Sequence, residues 1–127
     1  MKLRKEQIEA VLALDGPKRY EHFIKQVADK QVVWGLYQEG WALAQTSEGQ
    51  QVFPLWPSEE YAALCARDNW EGYRPKSFSL DDLLDELLPR FVEDGTLPAI
   101  FFTPQKRGVT PSIEQLRADL EDELGKY

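Results

Sequence analysis

Residues 31–66 contain no lysine or arginine and hold three of the four tryptophans, Trp34, Trp41 and Trp56. That stretch opens on Val32-Val33-Trp34-Gly35-Leu36-Tyr37, β-branched and aromatic, passes Glu39-Gly40, and returns as Trp41-Ala42-Leu43-Ala44. Two such runs around a glycine-bearing turn predict a hairpin. Ser47-Glu48-Gly49 marks a second turn, and Gln51-Val52-Phe53-Pro54-Leu55-Trp56 reads as a third strand. Pro54 removes a ladder donor, which predicts an edge strand or a bulge there.

Helical periodicity flanks this sheet on both sides. Residues 4–14 place Ile8, Val11 and Leu12 at helical spacing; Asp15-Gly16-Pro17 then breaks the chain. Residues 17–30 put Tyr20, Phe23, Ile24 and Val27 on one face. Pro57-Ser58-Glu59-Glu60 opens a further helix with Tyr61, Leu64 and Cys65 as its apolar face, and residues 73–78 form a short fourth strand. Ser79 starts a helix striped by Leu80, Leu83, Leu84, Leu87, Leu88 and Phe91, kinked at Pro89 and ended by Gly95. The apolar run 98–103 predicts a central strand buried on both faces. Thr110-Pro111 is expected to cap a last helix whose inner stripe is Ile113, Leu116, Leu120 and Leu124. The order is α-α-β-β-β-α-β-α-β-α. It describes a single α+β domain over residues 1–127: two N-terminal helices and an antiparallel three-stranded meander extended to about five strands, with helices packed on the sheet.

Charge and composition exclude several roles. The 127 residues carry 15 Lys+Arg against 22 Asp+Glu, a net charge of −7, so a polyanion is repelled and nucleic acid is not an expected partner. One cysteine forms no internal disulfide. Glu6 and Glu9 interrupt any signal-peptide core, and the longest apolar runs, such as residues 97–102, fall far short of the roughly 20 residues of a spanning helix. A cytoplasmic protein without membrane contact is expected.

No phosphate loop, dinucleotide fingerprint, nucleophile elbow or metal-ligand pair occurs, and no cofactor or metal is expected. His22 projects away from its helix's apolar stripe and reads as a surface residue. Cys65 reads as a core residue. The runs Asp81-Asp82, Asp85-Glu86, Asp119 and Glu121-Asp122-Glu123 read as solvated helix faces. Arg74, Lys76, Lys106 and Arg107 are basic residues able to share one end of the sheet and hold a small anion. The rings are the least ordinary feature. Strand alternation sends Trp34 and Tyr37 to opposite faces, so some rings are expected to line a groove or interface. Trp34, Tyr37, Trp41, Trp56 and Tyr73, with the four basic residues, are the candidate partner-binding or ligand-binding set; no catalytic residue is assigned.

Trp34-Gly35-Leu36, Gly40-Trp41-Ala42-Leu43, Pro54-Leu55-Trp56-Pro57, Glu60-Tyr61-Ala62, the Leu80–Phe91 helix, Gly95 before an apolar strand and the closing Leu116–Leu120–Leu124 helix recur together in one order. In this the chain resembles the bacterial domain-of-unknown-function family 2750 over nearly its whole length. The resemblance implies a small bacterial cytosolic protein and supplies no activity, cofactor or catalytic residue. The leading expectation is a non-enzymatic interaction or regulatory module using an aromatic sheet face or groove. The alternatives are a binder of small anionic metabolites and, third, a carboxylate-based enzyme. Rings on both sheet faces also make a two-fold homodimer an expectation.

Overall fold

The computed structural model describes residues 3–126. Helices α1 (Lys5–Leu12) and α2 (Gly16–Lys30) separate at Asp15. The Asp15 carboxylate accepts from the Lys18 amide at 3.0 Å and caps α2, with Pro17 preset for the first turn. Helix α2 buries Phe23, Ile24, Val27 and Ala28, and on the same face Arg19. Gln31 ends it in the left-handed conformation, φ 56°.

Strand β1 (Val32–Tyr37) pairs antiparallel with β4 (Arg74–Ser79) along its full length, from Val32 opposite Ser79 to Tyr37 opposite Arg74. In a second sheet β2 (Ala44–Gln45) is antiparallel to β3 (Gln51–Leu55), and β3 runs parallel to β5 (Leu97–Ile100). The α+β class, the five strands and the helices packed on them are as the sequence predicts. The antiparallel three-stranded meander, however, does not form as one ladder. The first strand meets the second only at the Tyr37–Trp41 bridge and the third only at Trp34–Trp56.

Pro54 gives the physical reason. Val52 pairs with Ala44 and Trp56 pairs with Trp34, so in the two-residue alternation Pro54 faces the gap between those partners. A residue without an N–H cannot extend β2 into β1 there, and the ladder breaks where the donor is missing. Pro54 therefore sits in the middle strand of its sheet, neither edge nor bulge. Strand β5, expected to be central, lies at the edge of the three-stranded sheet. Its outer side is closed by Val109, which exchanges hydrogen bonds with Ile100 at 2.6 and 2.8 Å. Three of its four residues are buried nonetheless.

The leucine-striped helix starts where expected, with Ser79 Oγ accepting from the Asp82 amide at 3.0 Å. It runs as α4 (Leu80–Asp82), a π-helical turn (Leu83–Leu87) and α5 (Leu88–Asp94). Pro89 has no N–H to offer the Asp85 carbonyl, so the helix widens just ahead of it. Gly95 stops it at φ 71°. In α3 (Glu59–Leu64) Tyr61 and Ala62 are buried and Cys65 follows them, whereas Leu64 is 40% exposed because the apolar stripe passes to Cys65. Helix α6 (Ile113–Leu124) is capped by Ser112, two residues beyond Thr110, and buries Leu116 and Leu120. Tyr20 donates to Asp119 Oδ2 at 2.6 Å and ties α2 to α6, so Asp119 is half-buried while Asp81, Asp82, Asp85 and Glu86 are solvated. Among the described residues no helix is long and apolar enough to cross a membrane.

Candidate functional site

Two of the ring clusters each carry a cation. The first gathers beside β1 and β4. Trp41 meets Tyr37 edge-on at 5.2 Å, Phe78 at 5.3 Å and Phe53 at 5.7 Å, and Phe53 meets Phe91 at 5.0 Å. Gly35 makes room for this: a Cβ there would stand 2.9 Å from the Trp41 ring. Lys76, whose register partner is Gly35, places its ammonium 4.0 Å above the Tyr37 ring and 5.7 Å from Trp41. A surface contact of this kind contributes about 0.5–1 kcal/mol. Tyr37, Trp41 and Lys76 thus satisfy one another. Arg74, opposite Tyr37, is exposed, and Tyr73 is half-buried against the core.

The second cluster surrounds a cleft. Trp56 is fully buried; Trp70 stands edge-on to it at 6.0 Å and edge-on to Phe102 at 5.5 Å. The Arg107 guanidinium lies 5.4 Å from the Phe102 centroid. Between the turn at 67–70 and the 101–109 loop is a cleft of about 190 Å³, lined by Arg67, Asp68, Trp70, Phe102, Thr103 and Arg107 with Cys65 beneath. Arg67 Nε is 3.6 Å from Asp68 Oδ2, and Arg107 Nη2 donates to the Gln45 carbonyl at 2.6 Å.

The far wall is held from inside the protein. Phe101 is buried in the left-handed conformation, φ 68°, a region bulky residues avoid. Its amide donates to the Leu55 carbonyl at 2.9 Å, and its carbonyl accepts from Arg19 Nε at 3.2 Å. Arg19, 2% exposed, also donates to the carbonyls of Leu14 at 2.9 Å and Arg107 at 3.1 Å. Burial pulls its pKa down from the usual arginine value, and Asp15 partly opposes that. The next carbonyl, Phe102, accepts from Trp56 Nε1 at 2.9 Å and from Cys65 Sγ at 3.4 Å. Thr103 Oγ1 accepts from the Lys106 amide at 2.9 Å and closes the loop's turn. Gly108 allows the return: a Cβ there would stand 2.9 Å from the Ile100 carbonyl.

Burial shifts several titratable side chains in this region. Burial pushes the Cys65 thiol up to about 11, with its Trp56 hydrogen bond and Arg67 opposing only in part, so it stays protonated near neutrality. His22 is only partly exposed rather than fully solvated: it lies half-buried, edge-on to Tyr61 at 6.3 Å and 6.1 Å from Phe101. Burial, and then the charge of Lys25, lower its pKa, which favours the neutral ring. Tyr61 is raised to about 12 by burial and by Glu60.

Of the residues singled out from the sequence, Arg107 lines the cleft and Trp56 supports it from behind. Trp34 borders a different groove, of about 440 Å³, with Lys30, Pro57 and Glu60. Lys106 is exposed in the 101–109 loop, while Arg74 and Lys76 lie on β4. The sequence reading left Arg19, Arg67, Trp70 and Phe102 out of the site. Only Arg19 carried a legible signal, since it stands four residues before Phe23 and eight before Val27 on the buried face of α2.

Comparison with curated proteins finds no match. A protein-family model does match, over residues 20–120, a span that holds both walls of the cleft and the buried arginine's helix beyond its first turn. With most of its length inside that match, the chain belongs to the family described as Protein of unknown function (DUF2750).

Proposed function

We propose that the protein is a non-enzymatic binding module that recognises an anionic group in the cleft between Trp70 and Arg107. The observation that carries this is that two arginines, Arg67 and Arg107, line a ring-walled cleft whose far wall is fixed by Arg19 and Trp56. A wall held at residues 101, 102 and 107 keeps its shape before a ligand arrives, and pre-organisation reduces the ordering cost of binding. The guanidinium fork suits carboxylate and phosphate, and its exposed N–H donors face a ligand arriving from solvent. The sheet-face rings support the reading less well, because Tyr37, Trp41 and Phe78 already pack on one another beneath Lys76.

Titration with benzoate, phosphate and, as a cationic control, benzylammonium tests the proposal through intrinsic tryptophan emission and melting temperature. Anions are expected to bind saturably and benzylammonium not to, with the response lost in Arg107→Ala. No saturable anion response, or one unchanged by Arg107→Ala, overturns it.

A further inference from the structure

We infer that the cleft takes a small planar monocarboxylate, an aromatic acid, with its ring against Trp70 and Phe102 and its carboxylate between Arg67 and Arg107. The inference rests on the anion-binding reading above and narrows it. Size comes first. At about 190 Å³ the cleft lies below the roughly 300–1,000 Å³ of sites for drug-sized ligands, so a nucleotide does not fit within it.

Charge comes second. Arg67 and Arg107 bring two positive charges and Asp68 one negative, leaving a lining of +1. That matches one carboxylate, whereas the second charge of a phosphate dianion meets the Asp68 carboxylate, which is already within 3.6 Å of Arg67. Shape is the third argument. Trp70 and Phe102 stand at 78° to each other, 5.5 Å apart, so a flat ring can stack on one while meeting the edge of the other. Arg107 lies over the Phe102 face, and one of its nitrogens is engaged by Gln45, leaving the rest of the fork for a planar two-oxygen partner at the same rim.

The test compares four probes on the full chain by calorimetric or tryptophan-emission titration: benzoate, cyclohexanecarboxylate of equal charge without a planar ring, neutral benzamide, and phosphate. Benzoate is expected to bind tightest, by about fivefold over cyclohexanecarboxylate. Arg107→Ala and Arg67→Ala, both at exposed positions, are each expected to weaken it about tenfold, Arg67→Ala with the melting temperature unchanged and Arg107→Ala with a small loss from its Gln45 and Phe102 contacts. Asp68→Asn is expected to raise phosphate affinity relative to benzoate. Phosphate binding as well as benzoate in an Arg107-dependent way overturns the aromatic-acid inference and leaves the anion cleft standing. Equal binding of benzoate and cyclohexanecarboxylate does the same. Failure of every anion to bind through Arg107 overturns both.

Discussion

Replacing Arg19 with methionine is expected to cost about 3–5 kcal/mol of stability and to lower the melting temperature by about 10 °C or more. Methionine fills much of the space but donates nothing. The carbonyls of Leu14, Phe101 and Arg107 then lose their donor in a region where Arg19 itself is 2% exposed. An unsatisfied buried acceptor costs about 1–3 kcal/mol; the Phe101 carbonyl bears that cost in full, and the part-buried bonds to Leu14 and Arg107 add smaller losses. Swapping a buried ion pair for apolar residues is often harmless because both partners are replaced; here the partners are backbone and remain. Arg19→Lys is expected to rescue little, since one ammonium cannot reproduce a fork whose Nε, Nη1 and Nη2 reach three different segments. Urea unfolding measures this directly. A midpoint shift equivalent to less than about 1 kcal/mol for Arg19→Met contradicts the claim that Arg19 holds the loop.

The second large effect is at Trp56. Trp56→Ala is expected to cost about 3–5 kcal/mol, the range for emptying a large buried aromatic site, because the side chain is fully buried and its ring supports Trp70. Trp56→Phe separates the ring from its N–H. It keeps most of the volume and leaves the Phe102 carbonyl with only the weak Cys65 thiol donor, an expected cost of about 1–2 kcal/mol. Arg19 and Trp56 grip consecutive carbonyls of one loop, so the double variant Arg19→Met/Trp56→Phe is expected to be non-additive by at least about 0.5 kcal/mol. Strict additivity in the denaturation cycle argues that the two residues do not act on a common segment.

How far the sequence carries the fold follows from the range of the interactions. The stripe from Leu80 to Phe91 and the β-branched run from Val32 to Tyr37 are local patterns, and both elements form where the periodicity puts them. The pairing of β1 with β4 is not local: its partners lie about forty residues apart, and Val32 carries nothing that names Ser79 over Ala44. Pro54 was legible as a missing donor, but which neighbour would be absent at that point depends on the tertiary arrangement. The candidate site shows the same limit. Arg107 and Trp56 were visible as a cation and a ring; the Arg67–Trp70 turn and Phe102 meet them only because the 101–109 loop folds back along β5. His22 went wrong for a related reason, since it leaves the main stripe of α2 only to meet Tyr61 of α3 and Phe101.

The net charge of −7 gains meaning from the cleft. On the proposed reading, two arginines at one ring-lined place would give a chain of net negative charge a local site for a small anion. Lys76 and Arg107 both lie over rings of their own protein, and the difference between them is that Arg107 also lines an open cleft.

The four tryptophans allow the central claim to be tested in one spectrum. Each indole N–H is expected to give its own proton–nitrogen correlation, Trp70 lining the cleft, Trp56 buried behind it, and Trp34 and Trp41 lying elsewhere. On titration with benzoate, and separately with phosphate, the Trp70 signal is expected to move saturably and Trp56 to follow, while Trp34 and Trp41 stay in place. Movement of Trp34 or Trp41 with Trp70 unmoved, or a Trp70 signal indifferent to both anions, contradicts the account.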